Sequence, residues 1–274
     1  MSVRASVASG WGRAGRRARP RRLDRHALQG VLVREAVNFG SYWRATTFSS
    51  TVEPTVYLLA FGFGFGSIVS TVGGLDYVEF VGTGTVATAV LFSSVFPAMF
   101  GTFVKYQFQR TYDAILAAPV DSEELVTGEA LWIAARAGTY GCVPLLVAMV
   151  FGLDPSWGML TVPLIAFLAG FGWASFGILI AAVLKSIENF NYVTSIVITP
   201  MFLVAGTYFP ISGLPEWAQV LAQFNPLYHC VQLVRHAVFG FEGWVDVYHV
   251  AVMAAFGLVA WRVAIDRMRR KLID

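Results

Sequence analysis

Charged residues, cysteines and metal-binding patterns are all scarce in this sequence. Charged residues account for 14% of the chain, against about 25% in ordinary soluble domains, whereas hydrophobic residues account for 56%. Two cysteines make neither a disulfide framework nor a cysteine metal site. The four histidines are scattered along the chain, and none has an H-E-x-x-H or similar metal-binding spacing. The composition therefore predicts a polytopic membrane protein without a metal site.

The sequence also lacks a nucleotide-binding motif. The pattern G-x-x-x-x-G-K-[ST] occurs nowhere, and Gly62, Gly64 and Gly66 do not have the dinucleotide-binding spacing. These glycines are more typical of closely packed membrane helices. We therefore predict that this chain binds no cofactor and is not an enzyme by itself.

Basic residues are concentrated at the N-terminus, where residues 1–25 hold eight arginines and one acid. No apolar core follows directly, so a secretory signal peptide is not predicted. We predict that residues 1–26 form a disordered, basic cytoplasmic tail that contacts anionic membrane lipid, with no nucleic-acid partner. An organelle transit peptide and a nucleic-acid arm are the compositional alternatives.

Six apolar stretches are long enough to cross a bilayer as helices. They lie at about residues 45–68, 80–104, 130–151, 161–184, 192–209 and 247–264. The predicted fold is all-α, with one transmembrane domain over residues 27–274 and both termini cytoplasmic. Eighteen of the twenty Lys and Arg residues fall in the predicted cytoplasmic segments, in agreement with the positive-inside rule.

An amphipathic segment precedes the first predicted span. Apolar residues recur on one side of it at helical spacing: Leu28, Leu32, Ala36, Phe39 and Trp43. Arg34 lies on another side. This pattern predicts an N-terminal helix that lies in the membrane interface, with Trp43 at the headgroups. A linker helix facing water is the alternative.

The first predicted span contains an acid followed by proline. Glu53 would lie about 12 Å deep by helical rise, where an ionisable group is costly unless it pairs or faces water. Glu53 is therefore a candidate for a transport path. A paired or protonated carboxyl at a kink caused by Pro54 is the structural alternative.

Two other regions carry polar and aromatic patterns. Residues 105–129 form a polar, partly helical cytoplasmic loop with aromatic and arginine side chains of the types favoured at interfaces, although an ordinary solvated loop has a similar composition. Residues 210–240 predict a short re-entrant helical hairpin on the extracellular side before the last span. In its first helix Trp217 and Phe224 share an apolar face, and Asn225 caps the second helix.

Both regions resemble a known family. Residues of the second region that match in order are Pro200, Phe202, Leu203, Gly206, Phe209, Pro210, Leu214, Pro215, Trp217, Pro226, Leu227, His229, Leu233, Arg235 and Gly240. The cytoplasmic loop adds Gln109 to Leu116, Pro119, Gly128 and Glu129. The pattern resembles ABC-2 type exporter permeases, especially those of nodulation-type lipo-oligosaccharide exporters and of daunorubicin resistance. It covers about residues 31–270.

The resemblance implies an export subunit whose ATPase is a separate protein. ATP and Mg would be bound by that partner ABC ATPase subunit, and a second permease copy, identical or a paralogue, would complete the path. A coupling helix in the cytoplasmic loop would dock on the ATPase, close to the interfacial helix. Its contact residues would be Tyr106, Phe108, Gln109, Arg110, Thr111, Tyr112 and Asp113.

The implied cargo is amphiphilic and leaves the cytoplasm or inner leaflet of a bacterial inner membrane. A lipid-linked sugar, glycolipid or lipo-oligosaccharide is the first candidate, and a hydrophobic drug-like metabolite is the second. The path would run between the first, second and fifth spans of facing copies and leave past the hairpin. Candidate path residues are Glu53, Asn189, Asn191, Tyr192 and Thr199, and candidate hairpin residues are Trp217, Phe224, His229 and Arg235. Hydrogen bonds to neighbouring helices explain the polar path residues equally well.

A secondary transporter or channel without an ATPase is the alternative function. Such a protein is expected to show internal repeat symmetry or several charges at the midplane, which this sequence lacks. A membrane enzyme would need a cluster of acids, histidines or cysteines at one interface.

Overall fold

The structure is a computed structural model that describes residues 23–66, 68–69 and 71–273, without the side chains at positions 53, 54, 63, 65 and 273. Most of the predicted N-terminal tail and the side chain of Glu53 thus lie outside the described residues. Within them the chain is mostly helical, which confirms the all-α prediction. The described exception is one antiparallel hairpin of two short strands.

Helices follow one another along the described part of the chain. They are α1 (Arg25–Gly66), α2 (Tyr77–Phe96), α3 (Thr102–Gln107), α4 (Thr111–Leu116), α5 (Ser122–Tyr140), α6 (Val143–Val150), α7 (Val162–Val183), α8 (Phe190–Val193), α9 (Thr199–Leu203), α10 (Glu216–Ala222), α11 (Pro226–Phe239) and α12 (Trp244–Ile273). The strands are β1 (Thr71–Val72) and β2 (Leu75–Asp76). π-helical segments lie at Pro97–Gly101 and Thr194–Ile198, and 3₁₀ segments at Trp157–Thr161, Ile187–Asn189 and Ile211–Gly213.

Four helical stretches among the described residues are long and apolar enough to cross a membrane. They are Tyr77–Gln107, Ser122–Val150, Trp157–Val183 and Trp244–Leu272. These stretches correspond to the predicted second, third, fourth and last spans, so a polytopic helical architecture is confirmed. The predicted first and fifth spans are not among the four, and the count of six spans stays a prediction.

The predicted interfacial helix and first span form one continuous helix, α1. Its N-terminal half packs on α5 through Val31 and Glu35, which are 3% and 4% exposed. The helices approach closely because Gly128 of α5 has no side chain: a Cβ there would lie 2.6 Å from Cγ1 of Val31. The buried face of α1 therefore centres on two residues that the predicted apolar stripe did not include.

The chain enters α2 through a tight hairpin. Gly73 and Gly74 connect β1 to β2 with φ angles of +61° and +86°, a conformation that favours glycine. At the start of α2 the Glu79 carboxylate accepts a hydrogen bond from the Asp76 backbone N–H at 3.3 Å. The sequence predicted a plain loop here, because two-residue strands leave no alternating pattern.

The predicted third span begins earlier than expected and is interrupted. α5 starts at Ser122 rather than near residue 130. The Glu124 carboxylate accepts a hydrogen bond from the Asp121 N–H at 2.9 Å and so caps this earlier start. A turn at residues 141–142 then separates α5 from α6. The predicted coupling loop is therefore shorter and comprises residues 108–121, with α4 inside it.

The extent predicted for the fifth span, residues 192–209, is wrong. Its helical part runs through α8, the second π-helical segment and α9, and ends at Leu203. The chain then turns at Gly206, whose φ is +78° and whose carbonyl accepts a hydrogen bond from the Arg235 guanidinium at 2.7 Å. A long-range contact of this kind is not visible in a local apolar run. Helices α10 and α11 occupy the predicted hairpin, before α12.

α7 packs against α2, α5 and α12 at the centre of the described core. A Cβ at Gly170 would lie 2.8 Å from that of Ala137 on α5, so this glycine permits the close approach. Trp173 is 1% exposed and packs against Phe256 of α12, with ring centroids 5.0 Å apart. α7 thus fixes the relative positions of the helices that carry the polar residues described next.

Candidate functional site

Side chains from α1, α3, α4 and α5 form a buried polar network, here called the polar junction. Its members are Glu35, Thr102, Lys105, Tyr112 and Glu129. The Lys105 ammonium donates to Glu35 Oε1 at 2.9 Å and to Glu129 Oε1 at 2.8 Å. The other oxygen of Glu129 accepts hydrogen bonds from Thr102 at 3.2 Å and from the Tyr112 hydroxyl. Four helices are therefore joined through one lysine and one carboxylate.

Burial makes the polar junction sensitive to loss of any one member. Glu35, Glu129 and Tyr112 are 4%, 2% and 1% exposed. Lys105 lies between two carboxylates, and Arg34 adds a second cation at 2.7 Å from Glu35. Burial, reinforced by Glu129, raises the pKa of Tyr112 well above its ordinary value, so its hydroxyl stays a hydrogen-bond donor. Breaking such a buried pair by removing one partner costs about 3–5 kcal/mol.

The short helix α4 has one buried residue, Tyr112, and its half-buried Ile115 packs on the same core cluster. Through Tyr112 the helix is connected to Glu129 of α5, and through Lys105 to Glu35 of α1. A rigid-body displacement of α4 therefore acts on α1, α3 and α5 together. This property is what a coupling element requires.

The residues predicted to contact an ATPase lie in α4 and just before it, and they include both exposed and buried side chains. Phe108 is 68% exposed, and the exposed side chains of Arg110 and Asp113 form an ion pair at 3.5 Å. Gln109 is exposed, Thr111 is half-buried, and Tyr112 faces inward. Tyr106 is half-buried, with the Lys271 ammonium of α12 4.8 Å from its ring centroid. This arrangement does not show contact with an ATPase, so the assignment of these residues to coupling stays a prediction.

The predicted interfacial residues have three different environments. Arg34 pairs with Glu35 at the edge of the polar junction. Phe39 packs against Trp132 of α5, with ring centroids 5.8 Å apart. Trp43 is 47% exposed on the outer face of α1. Arg34 therefore contacts the polar junction, and Phe39 contacts α5.

A cavity of about 810 Å³ lies between α1, α2, α5 and the second π-helical segment. Its wall includes Ser49, Thr85, Phe96, Arg136 and Thr199. The predicted first, second and fifth spans all contribute to its lining, and α5 contributes as well, while the path between facing copies stays a prediction. Of the predicted path residues, Thr199 lines the cavity.

Asn189, Asn191 and Tyr192 are not among the described residues that line the cavity. Asn191 and Tyr192 are exposed, and Asn189 is half-buried. The side chain of Glu53 lies outside the described residues. Asn189, Asn191 and Tyr192 therefore stay candidates for the path without a place in the cavity wall.

Histidines that are far apart in sequence meet at the hairpin. His229 and His249 face each other with their Nδ1 atoms 2.6 Å apart, and His229 Nε2 donates to the Gln223 carbonyl at 2.9 Å. His236 Nδ1 donates to Asp246 Oδ1 at 2.6 Å. Burial lowers the pKa of His229, and the hydrogen bond to Gln223 opposes this shift in part. Among the described residues, no group of His, Cys, Asp and Glu could hold a metal ion.

The other hairpin candidates are Arg235, which contacts α2, and the exposed residues Trp217 and Phe224. The guanidinium of Arg235 lies 3.8 Å from the ring centroid of Phe80, and it also donates to the Phe80 carbonyl at 3.3 Å. Arg235 thereby joins α11 to α2. Trp217 on α10 is 67% exposed, and Phe224, two residues past the end of α10, is 78% exposed. That these two side chains share one apolar face stays a prediction.

The sequence analysis missed the role of Glu35 and did not predict the ion pair between Glu129 and Lys105 of α3. The signal for Glu35 was its position four residues after Val31 and four before Phe39, on the face of α1 that packs on α5. A charged residue at such a position predicts a buried pair.

Several apolar helices, a cavity between them and a polar junction at one end define a multi-pass membrane transport protein. The profile of the ABC-2 type transporter family matches residues 26–239. The chain belongs to this family, which confirms the resemblance seen in the sequence. Permeases of the family are transporter components rather than enzymes, and they normally work with an ABC ATPase subunit.

Individual relatives agree with this assignment. The chain is 31% identical to Nodulation protein J of Sinorhizobium fredii over 232 residues, and this match covers 84% of this chain and 88% of that protein. It is 30% identical over 230 residues to Nodulation protein J of Rhizobium leguminosarum bv. viciae, with 84% and 88% covered. It is also 24% identical over 241 residues to the inner membrane transport permease YadH of Escherichia coli, with 86% and 93% covered.

Proposed function

We propose that this chain is the transmembrane permease subunit of an ATP-driven exporter in a bacterial inner membrane. Residues 27–274 form one transmembrane domain with six spans and both termini cytoplasmic, preceded by the basic tail. A separate ABC ATPase subunit binds ATP and Mg, and a second permease copy encloses the path. The observation that carries the proposal is the polar junction, because it joins the predicted coupling helix α4 to α1, α3 and α5.

In this mechanism ATP binding draws two ATPase subunits together, and each carries one α4 with it. The movement of α4 passes through Tyr112 to Glu129 and from there through Lys105 to α1. The exposed residues Phe108, Arg110 and Asp113 make the contact with the ATPase, while Tyr112 acts from the buried side. The cavity between α1, α2 and α5 then changes shape, because its walls are the helices that move.

The proposed cargo is an amphiphile, with a lipid-linked sugar, glycolipid or lipo-oligosaccharide as the first candidate and a hydrophobic drug-like metabolite as the second. The cavity wall supports this class, since it combines hydroxyl side chains such as Ser49 and Thr85 with the phenyl rings of Phe96 and Phe100. Hydroxyl groups bind sugars and other polar head groups, and phenyl rings bind alkyl chains.

Copurification tests the assignment. The tagged chain is isolated from membranes of its own host, and the amount of bound ABC ATPase is measured. We expect a stoichiometric ATPase, and a loss of most of it in the double variant Phe108→Ala with Asp113→Ala. Trp157→Ala is the matched control, because this side chain is 89% exposed on the opposite predicted side. A chain that purifies without any ATPase would instead support the secondary transporter or channel.

A further inference from the structure

Arg136 is the one charged residue among the described residues that line the cavity. We propose that its guanidinium binds the phosphate ester head group of an amphiphilic cargo. This inference rests on the proposed export function and adds the chemical class of the cargo's head group. It is argued from the absence of an acidic partner, from the shape of the wall and from the chemistry of the remaining lining residues.

No described carboxylate neutralises Arg136. The acid nearest along its helix face, Glu129, is fully occupied by Lys105, Thr102 and Tyr112. The contact that the structure gives to Arg136 is the ring of Phe39, whose centroid lies 5.5 Å from the guanidinium carbon. Its Nε atom is buried without a hydrogen-bond partner among the described residues. An unpaired cation within a membrane span is costly, and such residues mark the path of a charged substrate.

The guanidinium suits a phosphate ester better than a neutral polar group. Its planar fork matches two phosphate oxygens at once, and its charge is retained in a partly apolar setting. The cation–π contact with the ring of Phe39 uses none of the hydrogen-bond donors of the guanidinium. A phosphate could therefore bind the Arg136 guanidinium without first breaking an existing ion pair.

The rest of the wall fits an amphiphile that carries further polar groups. Ten of the seventeen lining residues bear hydroxyl groups, which exceeds what a plain lipid chain requires. Six of these hydroxyls bond within the protein, namely those of Thr85, Thr88, Ser93, Tyr140, Thr194 and Thr199. Among the described lining side chains, this leaves the hydroxyls of Thr46, Ser49, Ser50 and Tyr57 to a ligand. Phe92 and Phe96 stack with centroids 5.6 Å apart and offer an apolar surface on the α2 side. Along α1 the lining residues extend over about 18 Å at 1.5 Å per residue, enough for a head group and a short chain.

Equilibrium binding of two amphiphiles with the same chain tests the inference. The full chain is purified in dodecyl maltoside, and the dissociation constants of decyl phosphate and of decyl glucoside are measured. We expect Arg136→Gln to weaken decyl phosphate at least tenfold and to change decyl glucoside less than twofold. Arg136→Lys keeps the charge but loses the planar fork, so its affinity for decyl phosphate should lie between those of the wild type and Arg136→Gln. Arg262→Gln, an exposed cation outside the cavity, should change nothing. Equal affinity of the wild type and Arg136→Gln for decyl phosphate would overturn the inference.

Two further arms distinguish other occupants and partners. Glu53 lies one turn along α1 from the lining residue Ser49. Glu53→Gln should change the affinity for decyl phosphate less than twofold. A tenfold gain in affinity would show that Glu53 already neutralises Arg136.

In nanodiscs, decyl phosphate should remain bound when phosphatidylglycerol is added to phosphatidylcholine. Displacement by phosphatidylglycerol would assign the site to bilayer lipid and overturn the cargo assignment.

Failure of this inference can be told apart from failure of the proposed function. The binding measurement needs neither ATP nor an ATPase, so a negative result leaves the copurification result standing. Conversely, a chain that binds decyl phosphate through Arg136 but purifies without an ATPase would retain the binding site and lose the ATP-driven mechanism.

Discussion

The hydroxyl group of Tyr112 on α4 donates a hydrogen bond to the buried carboxylate of Glu129 on α5. This contact is the direct connection between the predicted coupling helix and a membrane helix. Because Glu129 also accepts from Lys105, a change at Tyr112 affects a charge that α1 shares through Glu35. The first prediction concerns this hydrogen bond alone.

Tyr112→Phe removes the hydroxyl group and keeps the buried ring. We expect it to reduce stability by about 1.5–3 kcal/mol, the usual range for a hydrogen bond to a charged group. The thermal unfolding temperature of the purified chain measures the effect. Tyr140→Phe is the matched control, since its hydroxyl bonds to the neutral Thr47 hydroxyl at 2.7 Å and its loss should cost less. Equal losses in the two variants would contradict a charge-assisted bond.

Lys105→Met leaves the buried Glu129 without a cation, while Glu35 keeps its ion pair with Arg34. We expect the largest stability loss of any single substitution in the polar junction, about 3–5 kcal/mol, seen as reduced accumulation in the membrane and earlier thermal unfolding. Adding Glu129→Gln to this variant should restore part of the loss, because the unpaired charge is then removed. If the double variant is no more stable than Lys105→Met, the charge argument is incorrect.

Gly128→Ala should separate α1 from α5. The new methyl group would lie 2.6 Å from Cγ1 of Val31, so one of the two helices has to shift. We expect a loss of stability of about 1–3 kcal/mol from overpacking, measured by thermal unfolding. Gly30→Ala on the same α1 is the control: nothing lies within 4 Å of its added Cβ, and it should be neutral or slightly stabilising. A neutral Gly128→Ala would contradict the close packing.

Acidification should destabilise the hairpin. Burial holds the pKa of His229 below its ordinary value of 6.5, so the unfolded chain binds a proton that the folded chain excludes. The stability contributed by neutral His229 is therefore present above about pH 6.5 and is lost as the pH falls towards the folded-state pKa. Unfolding temperatures between pH 5 and pH 8 measure this slope. His229→Gln should flatten it, whereas His26→Gln, on an exposed turn of α1, should leave it unchanged.

The sequence predicted the elements whose signals are local. Continuous apolar runs identify the second, third, fourth and last spans, because each helix is long enough to span a bilayer by itself. Both Trp217 and Phe224 are exposed, as side chains of an apolar surface face would be. The start of α5 was missed, although Asp121 and Glu124 form a recognisable cap.

The features that the sequence did not predict depend on contacts between distant residues. The helix end at Leu203 is accompanied by a hydrogen bond from Arg235 to Gly206, and the meeting of His229 with His249 requires the turn between α11 and α12. Both Arg136 on the same helix face and the more distant Lys105 are cations that Glu129 could pair with, and helical spacing alone does not choose between them. The three-dimensional arrangement pairs Glu129 with Lys105, and this leaves Arg136 to the cavity.

The most direct test of the central claim compares hydrogen–deuterium exchange of the permease–ATPase complex with and without ATP and vanadate. The peptide of interest covers residues 25–44 of α1, which the polar junction connects to α4 through Glu35, Lys105 and Glu129. We predict that ATP and vanadate change exchange in this peptide in the wild type, and that Glu129→Gln abolishes the change while the ATPase stays bound. The same change in Glu129→Gln as in the wild type would contradict transmission through the polar junction.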